Sequence, residues 1–479
     1  MAGRGRRDLL NVVVIMADEH NPRLMGCAGH PTVLTPHLDA LAAQGTRFSN
    51  AYAAAPTCAP ARQSVLTGLW PQEHGQYSNV HVLHPDTRTL AHDFTEAGYV
   101  TGAIGKLHTN NEGELFGFTE RRPCPAQGDI RVAITGDRAA LRPRTDGDRA
   151  EADAFAAIPD PKLWGAPLDD PRLHPDLRVL QRSLEFMKKN RRRPFFLLAS
   201  FFEPHFPWLL PREAYYRYDP AALPPLPIDP DDLDDSPWAL KLLLDRGWFA
   251  MDDAQHRLCR ARYYAAVSWV DELVGAVVAG LDALRLTERT LVLYLSDHGD
   301  MASEKGLWRK NVMFDGAARV PLIARLPGVL PAGAVLDAPV NHTDLLPTAL
   351  SFAGLQPAGR VNGRDLSPWL RGEAPPPEDT WSMELPEVGL DHPRILMMRN
   401  DRWKFVRYRR RYGGPDRYVE LYDMKADPLE SRNLAYDADQ SERVQRLWEK
   451  GDFFLGTLRS PVHPVLSVRH VDEDEAPDD

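Results

Sequence analysis

Four apolar runs in this chain are each followed by polar, chemically capable residues, and that repetition constrains the fold more than any other feature. Asn11 to Ala17 leads into Asp18, and Tyr99 to Ile104 leads into Gly105-Lys106-Leu107-His108. Pro194 to Ser200 is followed by Glu203-Pro204-His205-Phe206-Pro207, and Thr290 to Leu295 by Ser296-Asp297-His298-Gly299-Asp300. Short apolar runs of this kind read as buried strands. Helical patterns lie between them. Thr35-Pro36 opens one that Gly45 closes, with Leu38, Leu41 and Ala42 inward; Thr89 to Ala97 is another, stopped by Gly98. Asp176 to Lys189 places Leu177, Leu180, Leu184 and Met187 on one face, and a long helix is expected from about Asp253 to Leu284. The alternation predicts an α/β fold, a large mostly parallel sheet with helices on both faces. In such a sheet the carboxyl ends of the strands share an edge where ligands bind. Asp18, Lys106 with His108, His205, and Asp297 with His298 are all expected on that edge.

The chain has 479 residues, too many for one small core. The reading is a catalytic unit over 1–375, interrupted by an excursion at about 124–175 that is rich in Asp, Arg, Pro and Gly and expected near the pocket mouth. A linker at Pro375 to Pro377 leads to a smaller α+β unit over 376–465, and an acidic tail follows over 466–479. In the smaller unit, Ile395 to Met398, Trp403 to Tyr408 and Tyr418 to Tyr422 read as antiparallel strands. The net charge of -10 excludes a general nucleic-acid binder but not a local basic pocket for a small anion. Cys27, Cys58, Cys124 and Cys259 form no Cys-x-x-Cys pair, which argues against a disulfide scaffold or a zinc site. Arg4, Arg6 and Arg7 before Leu9 to Ala17 imitate a signal peptide, but no small-residue cleavage site follows. No apolar run reads as long enough to cross a bilayer. A cytoplasmic enzyme with no membrane partner is expected.

Cys58-Ala59-Pro60-Ala61-Arg62 precedes Leu66-Thr67-Gly68, Pro71 and His74-Gly75. A side chain at a helix start faces unpaired backbone N–H groups, a ready anion site. Arg62, one turn on, adds a fork for an oxyanion. Taken alone, such a cysteine is more simply a small buried apolar residue. Asp18, Asp297 and His298 suit a divalent metal: two carboxylates favour a hard cation, and the imidazole widens the choice toward Mn²⁺. Taken singly, each is more simply a solvated residue at a strand end.

The spacing Cys-x-Pro-x-Arg with Leu-Thr-Gly resembles the signature of the type I sulfatases, nearest to bacterial choline sulfatase and arylsulfatase types, and the resemblance runs from Asn11 to about Ala435. It implies an alkaline-phosphatase-like fold with a smaller C-terminal antiparallel sheet. It implies that a maturation enzyme oxidises Cys58 to formylglycine (3-oxoalanine), whose hydrate is the nucleophile. It implies a divalent metal, Ca²⁺ foremost with Mg²⁺ or Mn²⁺ as alternatives, held by Asp18, Asp297, His298 and an oxygen on residue 58. The chain departs from the commonest pattern at Glu19, where many sulfatases have a second aspartate, so Glu19 is the weaker ligand candidate; His298 stands where many relatives have Asn. Lys106 and His108 match Gly-Lys-x-His, His205 matches Pro-His-x-Pro, and Lys310 matches the lysine after the second metal segment. Asn79 lies where similar enzymes place a substrate-contacting asparagine. The implied division of labour has the metal, Arg62, Lys106 and Lys310 drawing charge from the sulfate oxygens. His205, with Lys310, protonates the leaving oxygen; His108 takes the proton of the remaining hydroxyl, and sulfate departs.

The resulting expectation is a hydrolase that releases inorganic sulfate from a small organic sulfate, with choline sulfate, aryl sulfates and sulfated sugars as candidates. Two alternatives stay open. A phosphonate monoester or phosphodiester hydrolase on the same scaffold is compatible with Ala61 and His298 but opposed by the Lys106–His108 pair. A non-catalytic anion-binding protein would keep Cys58 as a thiol. A homo-oligomer is among the assemblies expected.

Overall fold

The computed structural model describes residues 9–123, 143–225, 233, 235–385, 393–409 and 418–467. The strands of the main sheet, in chain order, are β1 (Asn11–Asp18), β2 (Thr46–Tyr52), β3 (Val100–Gly105), β4 (Glu120–Pro123), β5 (Phe195–Pro204), β6 (Thr290–Ser296), β7 (Arg319–Arg325), β8 (Ala334–Leu336) and β9 (Val340–Asn341). Their order across the sheet is β8-β2-β7-β6-β1-β5-β3-β4, with β9 also on β2. The run β6-β1-β5-β3-β4 is parallel throughout. β7 is antiparallel to both its neighbours. The expected mostly parallel sheet is therefore present, with β1 buried at every position near its middle.

Successive side chains of a strand point to opposite faces, so β1 feeds two cores. Val13, Ile15 and Ala17 face the larger one with α1 (Pro36–Ala43); Val12, Val14 and Met16 face the other with Val65 and Leu66 of α2 (Cys58–Thr67) and Leu90, Ala91 and Phe94 of α3 (Leu90–Glu96). α4 (Pro175–Asn190) and α5 (Asp253–Ala283) complete the larger face, and α6 (Leu345–Phe352) the smaller. Fully burying one such aliphatic side chain contributes about 1.5–3 kcal/mol. α5 is long and apolar enough for a membrane span by length and composition, contrary to the sequence expectation, yet most of that stretch is buried inside the fold. It is the central helix of the larger core.

Two expectations need correction. On α4 the fully buried apolar residues are Val179, Phe186 and Met187, while Leu177, Leu180 and Leu184 only border the core. The helix packs on both the sheet and α5, so its buried stripe is wider than the leucine spacing suggested and is centred elsewhere. The excursion is also not wholly a pocket rim. A helix at Asp146–Ala156 starts on a Thr145–Asp148 capping box, and Phe155, Ile158, Leu163 and Leu168 are buried. Glu151 pairs with Arg262 of α5 at 2.8 Å, anchoring the segment. Residues 124–142 of the excursion, with Cys124, and the acidic end of the tail lie outside the described residues; Cys27, Cys58 and Cys259 are free thiols.

A second, antiparallel sheet follows, in the order β10 (Asp379–Glu384), β11 (Arg394–Asn400), β12 (Trp403–Arg409) and β13 (Tyr418–Asp423). β10 is the strand that sequence reading missed. α7 (Ser441–Thr457) covers this sheet, stacking Phe454 on Trp381 with ring centres 4.3 Å apart. Lys404 of β12 is fully buried and reaches Asp315 at 2.9 Å and Glu430 at 2.5 Å; Tyr52 of β2 donates to the same Asp315 at 2.9 Å. This ion cluster ties the two sheets together. Lys404→Met removes the cation that Glu430 and Asp315 share, with Arg319 at 3.3 Å left to Asp315, so a loss of about 3 kcal/mol is expected. Calorimetry reads it as a lower melting temperature; an unchanged one would show that the cluster carries no weight.

Candidate active site

The four polar groups meet where the parallel strands end. Asp18 ends β1, and Asp297 and His298 follow β6. Lys106 follows β3 through Gly105, whose φ of 104° suits glycine and where a Cβ would sit 1.8 Å from the Ser200 carbonyl oxygen of β5. That close approach admits no side chain. His205 follows β5, flanked by two cis X-Pro bonds. Asp18 Oδ2 pairs with Lys106 Nζ and lies 3.2 Å from Arg62. Asp297 Oδ2 accepts from Arg62 Nε at 2.7 Å, while Asp297 Oδ1 accepts the backbone N–H groups of Glu19 at 3.0 Å and His298 at 2.9 Å.

Every residue of α2 is buried, and Cys58 is its first. The helix ends on Gly68 at φ 68°, whose N–H reaches the Ser64 carbonyl. Cys58 Sγ lies 3.1 Å from His298 Nε2, 3.1 Å from Lys310 Nζ and 3.8 Å from Asp18 Oδ1. His108 lies beside the same sulfur. Lys310 Nζ is also 3.0 Å from His205 Nε2 and 3.2 Å from Glu19 Oε2. Glu19, His108, Arg309 and Asn311 all take left-handed φ values of 69°, 57°, 67° and 74°. Such non-glycine conformations cost of order 1–3 kcal/mol each and persist where surroundings over-determine them.

The electrostatics follow from burial and close charge. Burial opposes ionisation of Asp18, yet Lys106 and Arg62 hold its carboxyl well below the usual range. Burial raises Asp297 against the pull of Arg62. Glu19 is pushed up to about 8 by burial, with Lys310 opposing. Burial works against a charged His298, but Asp297 outweighs it and raises the imidazole to about 9. Burial and Lys310 take His205 down to about 3, which leaves Nε2 an acceptor for the lysine. Burial also lowers His108. Cys58 resists ionisation through burial, but Lys310, Lys106 and His298 bring the thiol well below its ordinary value.

The sulfatase family model matches residues 10–355, most of the chain. The chain belongs to the sulfatase family. A second model, for the C-terminal region of N-sulphoglucosamine sulphohydrolase, matches residues 303–452. The choline-sulfatase of Rhizobium meliloti is 31% identical to this sulfatase over 448 residues, covering 89% of this chain and 82% of that protein. The arylsulfatase of Clostridium perfringens is 28% identical over 461 residues, covering 91% and 92%. In fold, the phosphonate monoester hydrolase of Agrobacterium radiobacter superimposes with a TM-score of 0.79 at 22% identity, over 96% of this chain and all of that one.

Cys58, Lys106, His108, His205, Lys310, Asp18, Asp297 and His298 thus converge in this sulfatase, and Glu19 lies beside Lys310 and His205 rather than against the sulfur. Arg62 differs from the free oxyanion fork expected. Its guanidinium is occupied by Asp297, Asp18, the Lys106 carbonyl at 2.8 Å and Ser200 Oγ at 2.7 Å. Asn79 Oδ1 accepts the N–H of Ala59 at 3.0 Å, so it holds the start of α2. Sequence reading missed Ser200, and also Thr57, Asn311 and Glu384, which surround the cysteine and lysine. In protein with Cys58 as a thiol and no metal, Lys310→Met should move the thiolate absorbance midpoint to higher pH, read against Cys58→Ser. An unmoved midpoint would remove Lys310 from the list of groups that set this thiol.

Proposed function

We propose that this sulfatase hydrolyses a small organic sulfate through residue 58, carried as formylglycine made from Cys58, beside a divalent cation held by Asp18, Asp297 and His298. The observation that carries the reading is the position of Cys58: buried at the first turn of α2, with His298, Lys310 and Asp18 all within 3.8 Å of its sulfur. Donor atoms of Asp18, Cys58, Asp297 and His298 lie within 4.8 Å of one another. The donor set fits a hard cation, Ca²⁺ foremost, with Mg²⁺ or Mn²⁺ also compatible. His298 supports this fit. Its Nδ1–H donates to the Gly299 carbonyl at 2.8 Å, which aims Nε2 at the cluster, where a cation would take the place of the Nε2 proton. Asp18 spends Oδ2 on Lys106 and Arg62, and Asp297 spends Oδ2 on Arg62; their Oδ1 atoms lie 3.7 Å and 3.6 Å from His298 Nε2, that of Asp297 also accepting the N–H groups of Glu19 and His298. Bound there, the cation would neutralise charge on the sulfate oxygens and favour ionisation of a hydroxyl on residue 58.

The chain's own groups divide the remaining work. Arg62 fixes the two aspartates rather than touching substrate. Lys106 sits on Asp18 and lends positive charge to the anion's side of the site. Lys310 is the charged member of a pair whose neutral member is His205; together they carry a proton to the leaving oxygen. His108, kept neutral by burial beside residue 58, accepts the proton whose loss lets sulfate go. Water-poor surroundings strengthen each of these interactions.

Mass spectrometry of the peptide containing residue 58, from protein made with a maturation enzyme, should find the aldehyde. Cys58→Ala should lower kcat/KM for an aryl sulfate by at least about a thousandfold, the scale of a lost nucleophile, without loss of fold. Retained turnover or a persistent thiol in active protein would refute the nucleophile. Chelation should abolish activity and Ca²⁺ restore it. Faster turnover of an aryl phosphonate monoester than of any sulfate in a panel would give the chain to the other hydrolase class.

A further inference from the structure

We propose that Glu384 is a positioning residue for this reaction: from the second sheet, it locks the residue before Cys58 to the residue after Lys310. The proposal rests on the reading above, in which residue 58 and Lys310 act on the same substrate. Glu384 ends β10 and is 4% exposed. Its Oε1 accepts from Asn311 Nδ2 at 2.6 Å and from Thr57 Oγ1 at 3.2 Å, and Asn311 Nδ2 lies 3.0 Å from the same Thr57 hydroxyl. The three side chains close a triangle around one carboxylate oxygen.

Thr57 shows that this triangle has displaced a local alternative. It is the residue before α2, where a threonine hydroxyl ordinarily accepts an N–H of the first turn. Here it makes no such cap and points to Glu384 instead. The helix start takes its side-chain acceptor from Asn79. Asn311 is held equally firmly. It has a left-handed φ of 74°, its N–H reaches the Pro56 carbonyl at 3.3 Å, and its own carbonyl accepts from Trp238 Nε1 at 2.8 Å. The strained turn through Arg309 and Asn311 is what brings Lys310 Nζ to 3.1 Å from Cys58 Sγ.

β10 is itself pinned to the catalytic sheet. Met383 N–H donates to the Ala54 carbonyl at 2.8 Å, and Asn341 Nδ2 of β9 to the Trp381 carbonyl at 2.7 Å. The second sheet therefore bears on the chemistry through an acidic side chain bonded to the residue before Cys58 and the residue after Lys310. A carboxylate is suited to the task, because its hydrogen bonds are shorter and stronger than those of a neutral acceptor.

The test compares Glu384→Ala, Glu384→Gln, Asn311→Ala, Thr57→Val and the double variant Glu384→Ala/Asn311→Ala. Turnover of an aryl sulfate is expressed per formylglycine found by mass spectrometry. Misplacing a reacting group by about 1 Å costs on the order of a hundredfold. Glu384→Ala is therefore expected to lower kcat about 10- to 100-fold and leave KM within about threefold. Glu384→Gln, which retains a carbonyl acceptor, should stay within about threefold of wild type. The double variant should be no worse than the worse single one, since both cut the same tie. Thr57→Val gives the smaller loss in the same direction and serves if Glu384→Ala does not fold. Wild-type kcat in Glu384→Ala, a loss confined to KM, or multiplying losses in the double variant would overturn the proposal. Absent turnover or absent aldehyde in the wild type would instead overturn the sulfatase reading on which it stands.

Discussion

Arg62 is the interaction on which the rest of the site depends. A guanidinium buried to 1% exposure would be costly without partners, and here two carboxylates, a carbonyl and a hydroxyl surround it. Nε donates to Asp297 Oδ2, Nη1 donates to the Lys106 carbonyl and Ser200 Oγ, and Nη2 faces Asp18 Oδ2 as an ion pair at 3.2 Å. Asp297, Asp18 and Lys106 stand at or just beyond the ends of β6, β1 and β3, and Ser200 lies within β5. One side chain from α2 thereby registers four parallel strands against the helix that begins with Cys58. It also fixes which oxygen of each aspartate remains for other work.

That geometry explains why so many charges tolerate burial together. Asp18, Asp297 and Glu19 face Arg62, Lys106 and Lys310 across a few ångströms, and each acid's state is a balance between burial and those cations. Burial pushes Glu19 up to about 8 despite Lys310; Asp18, between two cations, is held low. His298 and His205 are both buried imidazoles, yet they diverge, to about 9 and about 3: burial lowers both, Asp297 overcomes it at His298, and Lys310 adds to it at His205. Burial opposes the charged form of each of these groups, and only where the opposite charges beside it outweigh burial, as at Asp18 and His298, does the ionised form win.

Much of this could be read from residue order. A parallel sheet forces the strand ends to one edge, so polar residues after apolar runs were bound to meet; that logic delivered Asp18, Lys106, His205 and Asp297. Cys58 and Lys310 follow no strand of the parallel core, and only the likeness to sulfatase segments joined them to the group. What sequence could not show is how each side chain spends its hydrogen bonds. Arg62 reads as an open fork until its four partners are seen. Glu384 sits far along the chain, in a strand whose alternation over Trp381-Ser382-Met383-Glu384 was readable but whose neighbours were not. The Thr145–Asp148 capping box was likewise legible, yet the surrounding Asp- and Pro-rich composition concealed that Phe155 enters the core. Composition reports average polarity, whereas one buried aromatic is enough to anchor a short helix.

The central claim is that distant segments build one cation site against residue 58. Anomalous diffraction from crystals grown with Mn²⁺ tests it most directly. The account predicts a strong peak ligated by Asp18, Asp297 and His298 and adjacent to residue 58. Crystals with an ordered cation elsewhere and none within reach of these three side chains would contradict it.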